Sequence, residues 1–409
     1  MAVAGTGPDA PGPTRGSTPG STPGSTPAPR AVAWTRARVP RRRSRVLLAL
    51  FLLALLAVAL EVVVRAAGLV DLSRGAATEH QAAFNDADLF IAVGDADLSY
   101  ANRPLASATI DGIEYRHDEH GWRVTPGLAP AETGATSPAR VVAFLGDSTT
   151  YGLGLAAQDA LPAQVAAALA ATTAAGPGGI AIRALNLGVC GYATGQEAAL
   201  YESQRAALAD VDIVVLVFFP NDFAAGTFLW DSGLRIMYVD PLPLPFALKG
   251  WLWRSALYRA VVSRLGSSDA VRLAFDAANP ANRRLALEQV ARLAALVAAD
   301  GKRLLVAHLP AMEALDPYQF VEPVAALAQT CARLGVPYVD LLPAFLAERE
   351  RQVAAWAARG GAPVSAEHRR NFLAQYWISA PRDHHLDAAA TSLAAPALAE
   401  ALAPLLGTH

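Results

Sequence analysis

Between residues 140 and 345, short apolar runs alternate with longer segments of helical period. The runs VVAFLG (141–146), IRALNLG (182–188), DIVVLVFF (212–219), RLLVAHL (303–309) and VPYVDL (336–341) carry little charge. Runs this short and this continuous predict strands buried on both faces. Between them, segments such as ALPAQVAAALAAT and NRRLALEQVARLAALVAA repeat apolar residues every three or four positions, the period of a helix with one buried face. The alternation predicts an α/β fold, a three-layer αβα sandwich around a five-stranded parallel sheet. Sheets of this kind bind ligands beyond the carboxyl ends of their strands. Chemistry is therefore expected in the residues just after each run.

The N-terminal part follows a different pattern. Residues 1–45 contain the repeat GSTPGSTPGSTPAP and then RARVPRRRSR; too few apolar residues are present to build a core, so disorder is predicted. The next 19 residues, VLLALFLLALLAVALEVVV (46–64), carry one charge, Glu61. As a helix they would span about 28 Å at ~1.5 Å per residue, the thickness of a bilayer's hydrocarbon core. The expected reading is an uncleaved transmembrane signal anchor over 46–65. Its arginine-rich flank stays in the cytoplasm, and the rest of the chain faces the periplasm or exterior. A cleaved signal peptide is the competing reading; its apolar region would be shorter, and no clear small-x-small site follows the run before Glu61 and Arg65. The organisation expected is a cytoplasmic tail (1–45), the anchor (46–65), a membrane-proximal extension and linker (66–138) and a main domain (139–409) with an insertion at about 223–282. Within the extension, TIDGIEYRHDEHGWRV (109–124) predicts a hairpin around Asp111-Gly112. No spacing in the extension demands chemistry. In the insertion, LKGWLWRSALYRAVV (248–262) reads as an amphipathic core helix, the alternative being a helix lying on the membrane through Trp251, Trp253 and Arg254.

Charge and cysteine content narrow the function. A formal net charge of -2 gives no basic surface for phosphate backbones, so nucleic acid is not an expected partner. Cys190 and Cys331 are too few for a disulfide framework.

The strand ends hold the candidate chemistry. After the first run come Gly146, Asp147 and Ser148; after the second, Gly188; after the third, Asn221 and Asp222. The fourth and fifth runs are followed by Pro310 and by Leu342-Pro343, which supply neither nucleophile nor base. PRDHHLD (381–387) precedes the last Ala/Leu-rich segment. Ser148, Asp383 and His385 make a candidate triad, with Asn221 and the backbone of Gly188 as hydrogen-bond donors. In an extended segment residues two apart share a face, so Asp383 orients His385 more readily than His384. Taken singly, Ser148 could be only a helix cap and Asn221-Asp222 only a turn. A zinc site from Asp383, His384 and His385 is disfavoured, because adjacent ligands rarely converge on one tetrahedral ion; no metal and no cofactor are expected.

These residues resemble the SGNH (GDSL-like) hydrolases. FLGDSTTYG is similar to the family's first block, NLGVCGYATGQE to the second, FFPNDF to the third and DHHLD to the last. The likeness runs from about Arg140 to the C-terminus and is greatest to bacterial membrane-anchored members, in which an element like Gly121-Trp122-Arg123 precedes the first block. Three departures stand out: Phe219 where a glycine usually precedes the Asn, a shortened acid–base spacing, and Ala390 near the place of a glycine after the histidine. An α/β-hydrolase would carry G-x-S-x-G, whereas Thr150 stands two after Ser148.

The resemblance implies a flavodoxin-like sandwich and a serine esterase acting through an acyl-serine. Ser148 is then the nucleophile, His385 its base and Asp383 the orienting acid; Asn221 and the N–H groups of Gly188 and Ser148 form the oxyanion hole. Asp147 and His384 are possible supporting residues. The expected substrate is an O-acyl, chiefly acetyl, ester, with an envelope glycan as one carrier. Two other readings are an O-acyltransferase on an envelope glycan using the same triad, and a non-catalytic glycan-binding or scaffold module. The inner membrane is the expected partner through the N-terminal helix; protein partners are left open.

Overall fold

The computed structural model describes residues 41–69, 79–125, 140–173, 182–224, 228–231, 235–240, 242, 244–266, 276–312, 315, 317–365, 377–379 and 383–407. Of the tail expected to be disordered (1–45), residues 1–40 lie outside the described residues, as do residues 126–139, whereas residues 41–45 are helical, a correction: they form the first turn of the apolar helix that follows. The chain divides into two units, Met1–Leu56 and Ala57–His409.

In the first unit the described part is the opening of helix α1 (Arg41–Ala66), whose side chains from Ser44 to Leu56 are all exposed. The 23 residues from Ser44 to Ala66 include an apolar stretch of mean hydropathy 3.0 and are long and apolar enough to cross a membrane.

The second unit begins with the last turns of α1. Helix α2 (Glu79–Asp86), the antiparallel pair β1 (Phe90–Ala92) and β2 (Tyr100–Asn102), and the hairpin β3 (Ser107–Ile110) and β4 (Ile113–Arg116) follow. The hairpin turns at Asp111-Gly112 as the sequence predicts, both residues at positive φ. Next come β5 (Arg140–Leu145), α3 (Ser148–Tyr151), α4 (Leu161–Thr173), β6 (Ile182–Asn186), α5 (Thr194–Ser203) and β7 (Ile213–Phe218). The insertion supplies β8 (Phe228–Asp231), β9 (Ile236–Val239), α6 (Phe246–Leu252) and α7 (Ala256–Gly266). The chain then returns through α8 (Pro280–Ala299), β10 (Arg303–His308), α9 (Val321–Leu334), β11 (Tyr338–Asp340), α10 (Leu342–Ala358), β12 (Trp377–Ser379), β13 (Asp383–Leu386) and α11 (Ala388–Leu406).

The five apolar runs form one parallel sheet in the order β11-β10-β7-β5-β6. Period-two geometry explains why they carry no polar alternation. In β7, Ile213, Val215 and Val217 enter the core beneath α4 and α11, while Val214, Leu216 and Phe218 enter the opposite core with α5 and α8. All six are fully buried, and such side chains contribute roughly 1.5–3 kcal/mol each. Helix α11 also passes a length-and-hydropathy test for a membrane span, but Ala390, Ala394, Leu398 and Leu402 place it in the core. Strand β6 lies to one side of β5 and β7 to the other, so the order reverses at the carboxyl end of β5, where such sheets bind ligands.

The segment before residue 125 packs into the main domain, with Phe90, Tyr100, Tyr115 and Trp122 buried in its core. A further expectation is corrected. The stretch 248–262 is not one helix. It breaks between α6 and α7; Trp253 is buried and stacked on Tyr238 at 3.4 Å between ring centroids, whereas Trp251 is 64% exposed.

Candidate active site

Ser148 stands just beyond β5 as the first residue of α3. Gly146 lets the chain turn there, because a Cβ would lie 2.0 Å from Thr150 Oγ1 and 2.7 Å from its Cβ. The helix cap is Asp147 rather than Ser148: Asp147 Oδ1 accepts from Thr149 N (2.8 Å) and Thr149 Oγ1 (2.6 Å). Ser148 is thereby left free of capping duty. Its own N–H, first in the helix, has no intrahelical acceptor by position.

His385 lies on β13 with Nε2 2.6 Å from Ser148 Oγ, across 237 residues of sequence. For Ser148 to donate this bond, Nε2 accepts and the ring hydrogen sits on Nδ1. Of the two histidines in the motif, the structure thus brings His385 to the serine. The backbone of Asp383 and His384 belongs to the same strand; their side chains lie outside the described ones. The missing glycine after the motif is not needed, because Asp387 caps α11 by accepting from Ala389 and Ala390 N–H, both at 3.0 Å. Phe219 likewise fits without strain, at φ -103 and ψ 155.

Asn221 sits in the short turn after β7, and its Nδ2 donates to Asp147 Oδ2 at 2.6 Å. That contact fixes which end of the Asn221 amide faces the nucleophile turn, a role for Asp147 that sequence spacing does not show. One of the two amide hydrogens remains for another acceptor.

Gly188 is placed against α3 so closely that a Cβ would lie 2.3 Å from Tyr151 N and 2.7 Å from Tyr151 Cα. Backbone cannot yield as a flexible side chain can, so glycine is required. Gly188 N–H donates to Asn186 Oδ1 at 3.0 Å, while the Asn186 amide turns back to donate to Thr150 O (3.0 Å) and Tyr151 O (3.2 Å). The carbonyl of Gly188 accepts from Asn102 Nδ2 at 3.0 Å.

The region assigned no chemistry supports this turn from behind. Arg123, 2% exposed, donates to Tyr151 O (2.7 Å), Gly152 O (2.6 Å) and Leu155 O (2.5 Å). Its guanidinium lies over the rings of Tyr115 (4.8 Å) and Tyr151 (5.0 Å). His117 completes the brace, with Nε2 2.9 Å from Tyr151 OH and Nδ1 3.0 Å from Arg103 O. Burial lowers its pKa to about 4, so the ring is neutral and donates from one nitrogen while accepting at the other. The sequence signal that could have found Arg123 is an arginine inside the apolar Gly-Trp-Arg-Val stretch.

Two more buried polar clusters are present, of which the strand-end argument names only Asp222. His308 ends β10 fully buried, with Nδ1 2.8 Å from Asp340 Oδ1 and Nε2 2.9 Å from Tyr318 OH. Beneath the Asn221 turn lie the buried carboxyls of Asp222 and Glu197. Asp222 Oδ2 accepts from Phe219 N at 2.7 Å, while Asp222 Oδ1 and both Glu197 oxygens have no hydrogen-bond partner among the described residues. Burial, and then the mutual proximity of Glu197, Asp222 and Asp147, pushes the first two carboxyls well above the usual range.

The family model described as GDSL-like lipase/acylhydrolase matches residues 144–369. No curated protein matches. Similar solved structures include TesA (15% identity, 65% of this chain and 99% of that chain, TM-score 0.34). AlinE4, an SGNH-hydrolase family esterase, is 15% identical over 50% of this chain and 76% of its own, TM-score 0.30. A catalytic variant of Axe2, an acetylxylan esterase from Geobacillus stearothermophilus, is 14% identical over 67% and 97%, TM-score 0.37.

Proposed function

The chain belongs to the GDSL-like lipase and acylhydrolase family, serine hydrolases acting on ester bonds, and from that premise we propose that it is a membrane-anchored esterase removing O-acyl groups, chiefly acetyl, outside the cytoplasm. The observation that carries the reading is the 2.6 Å contact between His385 Nε2 and Ser148 Oγ at the sheet's switch point.

In this reading Ser148 Oγ attacks the ester carbonyl as its proton passes to His385 Nε2. Asp383, two residues before His385 on one strand, holds the ring and balances the imidazolium. The developing oxyanion accepts from the Ser148 N–H and from the remaining Asn221 amide hydrogen; Gly188 N–H contributes by sharing its hydrogen between Asn186 Oδ1 and the anion. Asp147 is a positioning residue, since it aims the Asn221 amide. The tetrahedral intermediate collapses with loss of the alkoxide, which takes the proton from His385. Water, deprotonated by the same histidine, then attacks the acyl-serine, and Ser148 Oγ leaves with the proton from His385 as the carboxylic acid is released. The substrate class rests on the family and on the single serine site; a glycan as carrier of the acyl group, as named for Axe2, is the finer part of the proposal.

Anchoring is supported by the 23-residue apolar helix segment preceded by arginines. The arginine flank favours a cytoplasmic N-terminus and a main domain on the far side.

The test is hydrolysis by the full chain, in vesicles, of p-nitrophenyl acetate, butyrate and octanoate and of acetylated xylan. Acetate turnover with acetic acid released from the polysaccharide is expected. Preference for octanoate with no acetic acid release would overturn the acetyl-ester reading.

A further inference from the structure

The two helices of the insertion form a surface that the esterase chemistry does not use. Residues 246–266 carry Lys249, Arg254, Arg259 and Arg264 and no acidic residue. Helix α6 exposes Leu248 and Trp251, three residues apart, at 39% and 64%; α7 exposes Val261 and Leu265, four apart, at 45% and 37%. Three- and four-residue spacing puts each pair on one helix face. A tryptophan beside leucines, with arginines at the margin, matches the headgroup boundary of a bilayer, where an aromatic ring and a cation both find their medium.

Hydrogen bonds fix where this surface lies along α1. Glu61 Oε1 accepts from Ala256 N (2.8 Å), and Glu61 Oε2 accepts from Ser255 Oγ (2.7 Å) and Leu257 N (2.8 Å). The carboxylate thus caps α7, meeting the unsatisfied N–H groups and the positive end of that helix. Arg65 donates to Glu61 Oε1 (2.6 Å) and to Arg254 O (2.8 Å). Glu61, the one acidic residue in the apolar run, is therefore held by the insertion at the end of the run that leads into the main domain.

We propose that α6 and α7 rest on the outer face of an anionic phospholipid bilayer, through Leu248, Trp251, Val261 and Leu265, with Glu61 and Arg65 clamping them to the emerging anchor. This inference rests on the membrane reading of α1. Lipid is the occupant that suits the surface: the apolar helix α1 is long enough to cross a bilayer, the cations complement anionic headgroups, and Glu61 of that helix is hydrogen-bonded to the start of α7. One consequence is functional. The esterase would be seated on the membrane rather than tethered above it, which favours acyl esters carried at the membrane surface.

The test uses the full chain in vesicles of about 7:3 phosphatidylcholine to phosphatidylglycerol. Because Cys190 and Cys331 are buried, single cysteines introduced by Trp251→Cys, Val261→Cys, Leu52→Cys and Trp356→Cys can be spin-labelled selectively. Collisions with oxygen report lipid, and collisions with a nickel chelate report water. The expected result is lipid contact at 251 and 261 at headgroup depth, deep lipid at 52 and water at 356. Labels at 251 and 261 as water-exposed as the one at 356, with 52 still deep in lipid, would overturn the seating while leaving the anchor. Water exposure at 52 as well would overturn the anchor reading itself.

Discussion

Replacing Asp147 by Asn tests whether the residue beside the nucleophile acts through the oxyanion donor. Asp147 presents one oxygen to Thr149 and the other to Asn221 Nδ2 at 2.6 Å. An asparagine at 147 has a single oxygen. If that oxygen keeps the two Thr149 bonds, its NH2 meets the Asn221 NH2, donor against donor, and Asn221 must flip to offer Oδ1. The flip removes a donor from the developing oxyanion, and loss of one such donor costs about 10²–10³ in kcat, ~2.7–4 kcal/mol. Helix capping should barely suffer, because Asn caps as well as Asp, so the stability change is held to about 1 kcal/mol. The assay is p-nitrophenyl acetate hydrolysis with kcat and KM separated, beside a thermal melt. The expected outcome is a kcat loss of about 10²–10³ at nearly unchanged KM and Tm. Asp147→Asn in an Asn221→Ala background should then cost little more, since both act on one donor. A kcat within about threefold of the wild type, with Tm unchanged, would refute the positioning role.

Two further perturbations probe the supports. Arg123→Met removes three hydrogen bonds from a buried cation to the carbonyls at the end of the nucleophile turn; a loss of about 3–5 kcal/mol is expected, lowering Tm by roughly 6–20 °C, and a shift under about 2 °C would show that the brace is dispensable. Glu197 has its pKa raised in the fold by burial first and by Asp222 and Asp147 next, so the native state keeps a proton that the unfolded chain releases above the ordinary carboxyl range. Native stability then falls as pH rises above the ordinary carboxyl range, by up to about 1.4 kcal/mol per unit for the group. Glu197→Gln removes this term, so its Tm advantage over the wild type should grow with pH; a difference independent of pH would contradict the buried neutral acid.

The sheet was legible because parallel strands covered on both faces read as unbroken apolar runs; all five runs became strands at the expected places. The placement of Ser148 and Asn221 followed from strand order, since a switch point gathers the ends of adjacent strands. Contacts between distant segments of the chain left no periodic trace. Arg123 reaches Tyr151 over 28 residues and Asn102 reaches Gly188 over 86, and neither spacing belongs to a helix or strand period. Glu197, inside α5, is fully buried, and nothing in its spacing marks it. The break between α6 and α7 was missed because LKGWLWRSALYRAVV keeps helical spacing throughout; what interrupts it is Glu61, a residue almost two hundred positions earlier, capping a new helix at Ala256.

The central claim is that Ser148 is a nucleophile activated by His385. Intact mass after treatment of the full chain with a fluorophosphonate tests it most directly. One adduct is predicted on the wild type, none on Ser148→Ala, and labelling slowed by about 10²–10⁴ on His385→Ala. An adduct that persists in Ser148→Ala, or labelling of His385→Ala at the wild-type rate, would contradict the account.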